Sequence, residues 1–329
     1  MKKDLITNIL ISIASLFFIL FCAEITMRFS WEMGGWVKRP IYKKSPNPYL
    51  RYELVAGAKS GDISINSDGF RGPEYSITKP ANTFRIIMLG DSETFSYMLA
   101  WRDTLPMQLE NLLNQHPGLL RYEVMNFGVE GYGTFQELEM LKTKGLKYNP
   151  DLIILNYVLN DPEPGEYYFK ETFFMRHSAL VRYFSYRIKK AMIRRERKRL
   201  HINTEVDNYY YYHKPKYFIP VKEEILEMAD IAAERGNKLI VVLFPCSSIM
   251  VKDFKENYPY WPLHKLVKSI VSENIVFIDL IDEFNRLNMT PQGVSINYTY
   301  DESHKNAAAL KISAQYIYAI LKSNRVVPE

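Results

Sequence analysis

The chain has 329 residues, 47% hydrophobic and 24% charged, with 15 Gly, 17 Pro and 2 Cys, which excludes collagen-like, mucin-like and disulfide-scaffold classes. Lys+Arg 42 against Asp+Glu 37 leaves +5, too small a surplus over this length to argue for a nucleic-acid binder. The charge is local: Arg176 to Arg199 holds ten Lys/Arg and one Glu, so that segment carries +9 and the remainder −4.

In chain order, the first element is the apolar run Leu5 to Met27, interrupted only by Thr7, Asn8, Ser12, Ser15, Glu24 and Thr26. Its length is enough to cross about 30 Å of hydrocarbon. Lys2 and Lys3 precede it as in a signal peptide, but no small-x-small site follows, and Phe21 before Cys22 is too bulky for lipoprotein-type processing. Residues 1–29 therefore read as an uncleaved membrane anchor, ahead of a cleaved signal peptide or a buried helix. Lys2 and Lys3 on one side compete with Arg28, Lys38, Arg39, Lys43 and Lys44 on the other, so the positive-inside rule leaves orientation open. Cys22 and Cys246 both belong to apolar runs, so no disulfide is indicated and the cysteines do not identify the compartment.

Residues 30–82, rich in Gly, Pro, Ser and aromatics without periodicity, read as a stalk and irregular leading segment. Within it, Asp68-Gly69 reads as a turn with Phe70 packed beneath, in preference to a binding role. From Thr83 the pattern changes. Residues 84–90, 122–127, 151–158, 238–244 and 274–280 are short continuous apolar runs, the signature of parallel strands buried on both faces. Helical patterns separate or follow them at 105–115, 135–146, 178–200, 222–235, 263–273 and 305–321. Such alternation gives right-handed βαβ crossovers and a three-layer α/β domain over 83–325, with a basic helical insertion at about 163–220. No internal repeat is visible.

In such a sheet the chemistry belongs at the carboxyl ends of the strands. The first ends in Gly90-Asp91-Ser92, where a serine after a permissive glycine can expose its Oγ, although Asp91 or Ser92 merely capping a helix is an equal reading. The second runs into Asn126-Phe127-Gly128-Val129-Glu130-Gly131-Tyr132-Gly133-Thr134, whose glycines expose backbone N–H groups suited to an oxyanion or a phosphate. It lacks the lysine of a Walker loop, and its glycine spacing and position fit the dinucleotide pattern poorly. The third ends in Asn160-Asp161-Pro162, which supplies either an amide donor or a turn. The last element is preceded by Asp301-Glu302-Ser303-His304. At a helix start, Asp301 and His304 would share one side of the turn, letting Asp301 hold Nδ1–H while Nε2 faces outward. His116, His177, His201, His213 and His264 have no comparable context. No clustered metal-ligand set is present, and no cofactor is expected.

Together these four places resemble the SGNH hydrolases, or GDSL-type esterases, whose blocks carry Ser, Gly, Asn and His in this order; the resemblance spans roughly residues 66–321. It implies a flavodoxin-like α/β/α fold with a five-stranded parallel sheet, Ser92 as nucleophile, His304 as general base and then acid, and Asp301 as the imidazole's orienting partner. It further implies an oxyanion hole from the Ser92 N–H, the Gly131 N–H and the Asn160 side chain. The family's third block often has glycine where this chain has Val158, which leaves the local backbone path open.

The expectation is a membrane-anchored serine esterase, its catalytic domain outside the cytoplasm, removing an O-acyl group, foremost acetyl, from a carbohydrate or lipid-linked glycan. Two alternatives stand beside it: an O-acyltransferase using the same triad, and a non-catalytic SGNH-fold scaffold. Nucleic acid is not an expected partner. Within the basic segment, Leu180, Tyr183, Phe184, Ile188, Ala191 and Ile193 form an apolar strip. An interfacial helix on anionic lipid or a lid weighs equally with an ordinary solvated helix. Tyr209 to Tyr212 are expected to pack under a loop rather than stack on sugar rings. Asn288-Met289-Thr290 and Asn297-Tyr298-Thr299 match the glycosylation pattern, which matters only in a eukaryotic secretory context.

Overall fold

The computed structural model describes residues 2–29, 40–115, 118–163, 172–248, 251–255, 257–297 and 301–328; the side chains of Lys2, Lys3, Arg176, Asp301 and Glu302 lie outside that description. The chain runs α1 (Lys2–Met27), β1 (Tyr42–Lys44), β2 (Tyr52–Leu54), β3 (Lys59–Ser60), β4 (Ile63–Ser64), β5 (Thr83–Gly90), α2 (Ser92–Phe95), α3 (Leu105–Leu113), β6 (Arg121–Gly128), α4 (Thr134–Thr143) and β7 (Leu152–Tyr157). It continues through α5 (Phe173–His177), α6 (Ala179–Arg199), α7 (Glu205–Tyr212), α8 (Pro215–Ala233), β8 (Leu239–Leu243), α9 (Trp261–Lys268), β9 (Ile275–Asp279), α10 (Leu280–Arg286), α11 (Pro291–Val294), β10 (Ser295–Asn297), β11 (Asp301–Lys305) and α12 (Ala307–Ser323).

The five apolar runs form one parallel sheet in the order β6-β5-β7-β8-β9, the flavodoxin-like arrangement. Ile86, Ile87, Leu155, Ile240 and Val241 are completely buried, because helices cover both faces of a sheet built from crossovers. The strand order reverses at β5: β6 lies on one side of it and β7 on the other. Right-handed crossovers then send α3 and α4 to opposite faces, where α3 packs on α12 and α4 on α8. At the reversal the loops after β5, β6 and β7 diverge and leave a crevice at the carboxyl edge. Gly90 and Gly128 are paired across β5 and β6 at that edge.

The structure moves several boundaries. Residues 40–79 are no stalk: β1 pairs with β2, β3 with β4, and Ile41, Leu50, Tyr52, Leu54, Ile63 and Phe70 join the main hydrophobic core. Their partners are distant in sequence, so no local periodicity announces them. The expected turn at Asp68-Gly69 forms with Gly69 at φ 85°. Asn66 Oδ1 accepts from Phe70 N at 2.9 Å, and Phe70 stacks on Phe127 at 4.1 Å. The expected helix at 222–235 begins at Pro215, a proline suited to a first turn, and runs through Pro220. That helix carries buried Phe218, Val221 and Ile225, so the end of the expected insertion belongs to the core.

The last helix starts at Ala307, capped by Asn306, whose Oδ1 accepts from Ala309 N at 2.9 Å. Residues 301–305 are an extended strand pairing antiparallel with β10. The helical-turn periodicity that suggested an Asp301–His304 pair therefore does not apply there.

Over its apolar length α1 is left uncovered by the other described residues; Phe17 and Phe18 are 66% and 67% exposed. Its segment Asp4–Met27 is long and apolar enough to cross a membrane.

Candidate active site

Ser92 opens α2, directly after β5. Asp91 caps this helix through Oδ1, which accepts from Glu93 N at 2.9 Å. The turn is possible only because of two glycines. Gly90 has φ 153°, and a Cβ there would sit 2.1 Å from Thr94 Oγ1. A Cβ on Gly128 would sit 2.4 Å from Phe95 N, so the end of β6 closes on the backbone of the serine's helix. Thr94 is held from both neighbouring strands: its carbonyl accepts from Asn126 Nδ2 at 2.8 Å and its Oγ1 from Asn156 Nδ2 at 2.8 Å.

His304 arrives on β11, and its Nε2 lies 2.8 Å from Ser92 Oγ. With Nδ1 protonated, Nε2 accepts the serine proton. Ser92 Oγ is also 3.2 Å from Asp91 Oδ2, which accepts from Asn160 Nδ2 at 3.3 Å. Asp91 is buried, and burial foremost raises its carboxyl above the usual carboxylate range, against the bond from Glu93 N and the opposing charge of His304. Ser92 and His304 separate two clefts. One, of about 160 Å³, is lined by Asn160, Val158, Tyr209, Phe244 and Cys246 among others. The other, of about 90 Å³, has Tyr97, Met98, Glu130 and Ile296 on its walls. A larger hollow of about 380 Å³, with Asn82, Thr83 and Arg121, lies at the amino ends of β5 and β6 and contains none of these groups.

Of the residues expected to act together, Ser92, His304 and Asn160 meet at one cleft. Gly131 is exposed in the loop after β6 with φ 72° and does not line either cleft. Its neighbour Glu130 does, held by the Tyr42 hydroxyl at its carboxylate and the Tyr52 hydroxyl at its carbonyl. The Asp301 side chain lies outside the described residues. Of the tyrosine run, Tyr209 lines the larger cleft and packs edge-on against Tyr260, 5.2 Å between centroids. Tyr210, Tyr211 and Tyr212 bond instead to Pro259 O, Glu196 and Glu163.

Sequence reasoning missed three features. Lys305 is buried and its Nζ lies 3.0 Å from Glu93 Oε1, while Lys305 N donates to Glu93 Oε2 at 3.2 Å. This clamps the residue after Ser92 to the residue after His304. Opposite charges adjacent to Ser92 and His304 were a readable signal. Arg71, also buried, donates to the carbonyls of Phe95, Ser96 and Leu99, supplying partners to the orphaned end of α2. Burial pulls Arg71 down to about 10, against the opposing charges of Asp62 and Glu130, so it stays charged at neutral pH. Finally, His264 is no bystander: its Nδ1 is 2.9 Å from Asp279 Oδ1 and its Nε2 3.2 Å from Tyr258 OH. This fully buried pair lines neither cleft, so it is scaffolding. Among the described residues no group of His, Cys, Asp and Glu could hold a metal ion.

No family model matches the sequence, and no curated protein does either. Solved structures do match in shape. The chain is similar to G-D-S-L lipolytic proteins and acetylxylan esterases. A protein from Desulfitobacterium hafniense described as a lipolytic member of the G-D-S-L family aligns at 14% identity, over 72% of this chain and 99% of its own, with a TM-score of 0.41. An acetylxylan esterase from Geobacillus stearothermophilus aligns at 15% identity over 72% of this chain and 93% of its own, TM-score 0.46. An alpha/beta hydrolase enzyme from the metagenome of Lake Arreo aligns at 12% identity over 75% and 97%, TM-score 0.47.

Proposed function

We propose that the protein is a serine ester hydrolase of SGNH type that works through an acyl-enzyme on Ser92. The observation that carries this is the 2.8 Å approach of His304 Nε2 to Ser92 Oγ at a cleft shared with Asn160. Ser92 Oγ attacks the ester carbonyl while its proton passes to His304 Nε2, a step a free serine cannot take at neutral pH. The tetrahedral oxyanion is met by the Ser92 N–H and the Asn160 side-chain amide; the expected third donor, the Gly131 N–H, lies outside both clefts. One such donor contributes about 3 kcal/mol to the barrier. Collapse breaks the C–O bond to the leaving alcohol, which takes the proton from His304. Water then attacks the acyl-enzyme by the same route and regenerates Ser92. The family resemblance gives Asp301, on the same extended strand as His304, as the carboxylate that orients the imidazole.

The cleft of about 160 Å³ is smaller than sites that enclose drug-sized ligands, which favours a short acyl group such as acetyl. The Tyr209 ring on its wall offers a carbohydrate ring a flat apolar face. We therefore place an O-acylated carbohydrate or lipid-linked glycan in the site. α1 is read as a membrane anchor, because residues at its end are built into the fold: Arg28 Nη2 donates to His177 O at 2.6 Å and Glu24 binds the start of α6. Ser92→Ala is expected to abolish both p-nitrophenyl acetate hydrolysis and covalent labelling by a fluorophosphonate. Undiminished turnover in that variant would rule out the assignment.

A further inference from the structure

The basic segment is not seen at the site: among the described residues none of 176–199 lines either cleft, so the lid reading finds no support. Its helix, α6, is tied instead to the end of α1. Glu24 Oε1 accepts from Ala179 N at 2.9 Å, and Glu24 Oε2 accepts from Leu180 N at 2.9 Å and Ser178 Oγ at 2.8 Å. A carboxylate of one helix thus caps the N-terminus of another, where its charge also suits the helix dipole. Glu24 is within one turn of the end of α1, so α6 begins at the level where an apolar span of this kind meets the headgroups.

The faces of α6 are sharply divided. Ala179, Arg182 and Tyr186 are buried toward the domain, with Arg51 over the Tyr186 ring at 4.7 Å. Val181, Phe184, Ile188 and Met192 are 40%, 54%, 59% and 65% exposed. Spacings of three and four residues line them up as one stripe, displaced by about a third of a turn or more from the buried face. A helix whose outer face merely met water would have polar residues there. Exposed Arg187, Arg195, Lys198 and Arg199 flank or continue the stripe, and the helix has nine Lys/Arg against Glu196 as its one acidic residue. An apolar stripe within a cationic face is complementary to acyl chains beneath anionic headgroups. Phe173 and Phe174, 67% and 71% exposed on the preceding α5, extend the apolar surface beside the α1 junction.

We propose that α6 lies on the anionic headgroup surface of the bilayer that α1 crosses, with Val181, Phe184, Ile188 and Met192 turned into the lipid. The proposal rests on the anchor reading of α1 and adds a second, charge-selective contact with the membrane. Its test is hydrogen exchange on the full-length protein reconstituted in vesicles of phosphatidylcholine alone or of phosphatidylcholine with phosphatidylglycerol. Amides of residues 181–199 are expected to exchange about tenfold more slowly in the anionic vesicles. Two variants should lose that difference: Phe184→Ser with Ile188→Ser, and Arg187→Glu with Arg195→Glu and Lys198→Glu. Both should react with a fluorophosphonate at the native rate, which shows that the domain is folded. Equal exchange of α6 in the two lipid compositions, or a lipid effect that survives both variants, overturns the proposal. Retention in neutral vesicles after a carbonate wash reports on α1 separately, so failure of the anchor and failure of the α6 surface are distinguishable.

Discussion

Replacing Lys305 by methionine tests how Ser92 and His304 are held at their hydrogen-bonding distance. The substitution keeps the stem's bulk but removes the ammonium 3.0 Å from Glu93 Oε1. Glu93 and Lys305 are only 6% and 2% exposed, so the carboxylate would be left buried without its counter-charge. Breaking a buried pair from one side costs about 3–5 kcal/mol. The lower end applies here, because Glu93 keeps the bond from Lys305 N at 3.2 Å. For a chain of this size a loss of about 3 kcal/mol lowers the melting temperature by about 4 °C. The kinetic effect is separate: Glu93 follows Ser92 and Lys305 follows His304, so relaxation of the clamp moves the two reacting groups apart. A misplacement of about 1 Å costs about a hundredfold in kcat. The double variant Glu93→Leu with Lys305→Met removes both charges and should recover most of the melting temperature, yet its kcat should stay low because the backbone bond to Glu93 is also gone. Calorimetry and p-nitrophenyl acetate kinetics on the three proteins give the two readouts. Native stability and native kcat in Lys305→Met would refute the clamp.

Other perturbations probe the same architecture. Gly128→Ala drives a methyl to 2.4 Å from Phe95 N, against backbone that cannot yield cheaply, and is expected to cost more than about 3 kcal/mol in urea unfolding and to abolish turnover. Arg71→Met leaves the carbonyls of Phe95, Ser96 and Leu99 without their donor; a loss of about 2–4 kcal/mol and a fall in kcat are expected, with unchanged melting as the contrary result. Glu137 and Asp161 are buried, and burial foremost, then the charge of nearby carboxyls including Asp91, raises both far above the carboxylate range. The folded state therefore holds protons that the unfolded chain releases. This contribution is full below the unfolded values near pH 4 and is lost as pH rises toward the folded values, by up to about 1.4 kcal/mol per pH unit for each proton. Glu137→Gln should flatten that decline as pH rises above the unfolded carboxylate value in denaturant titrations, and an unchanged slope would contradict the assignment.

The sheet was legible because burial on both faces forces continuous apolar runs, and all five appear at residues 83–90, 121–128, 152–157, 239–243 and 275–279. The glycines at 90 and 128, Ser92, Asn160 and His304 were legible for a related reason: chemistry at a strand's carboxyl end requires particular residue types next to a recognisable strand. An apolar strip along α6 was visible as a period, but its orientation was not: of the residues expected in it, Phe184 and Ile188 belong to the exposed stripe, which Val181 and Met192 complete. Only the tertiary structure decided that Glu24 caps this helix, that residues 40–79 belong to the core, and that His304 reaches Ser92 from a strand rather than a helix start. It also decided the partnerships of Arg71 with α2, Glu93 with Lys305 and His264 with Asp279. These depend on side chains brought together across 24, 212 and 15 residues of chain. Local pattern carries what the backbone period and one-residue chemistry impose; which buried charge meets which is set by how the layers close over one another.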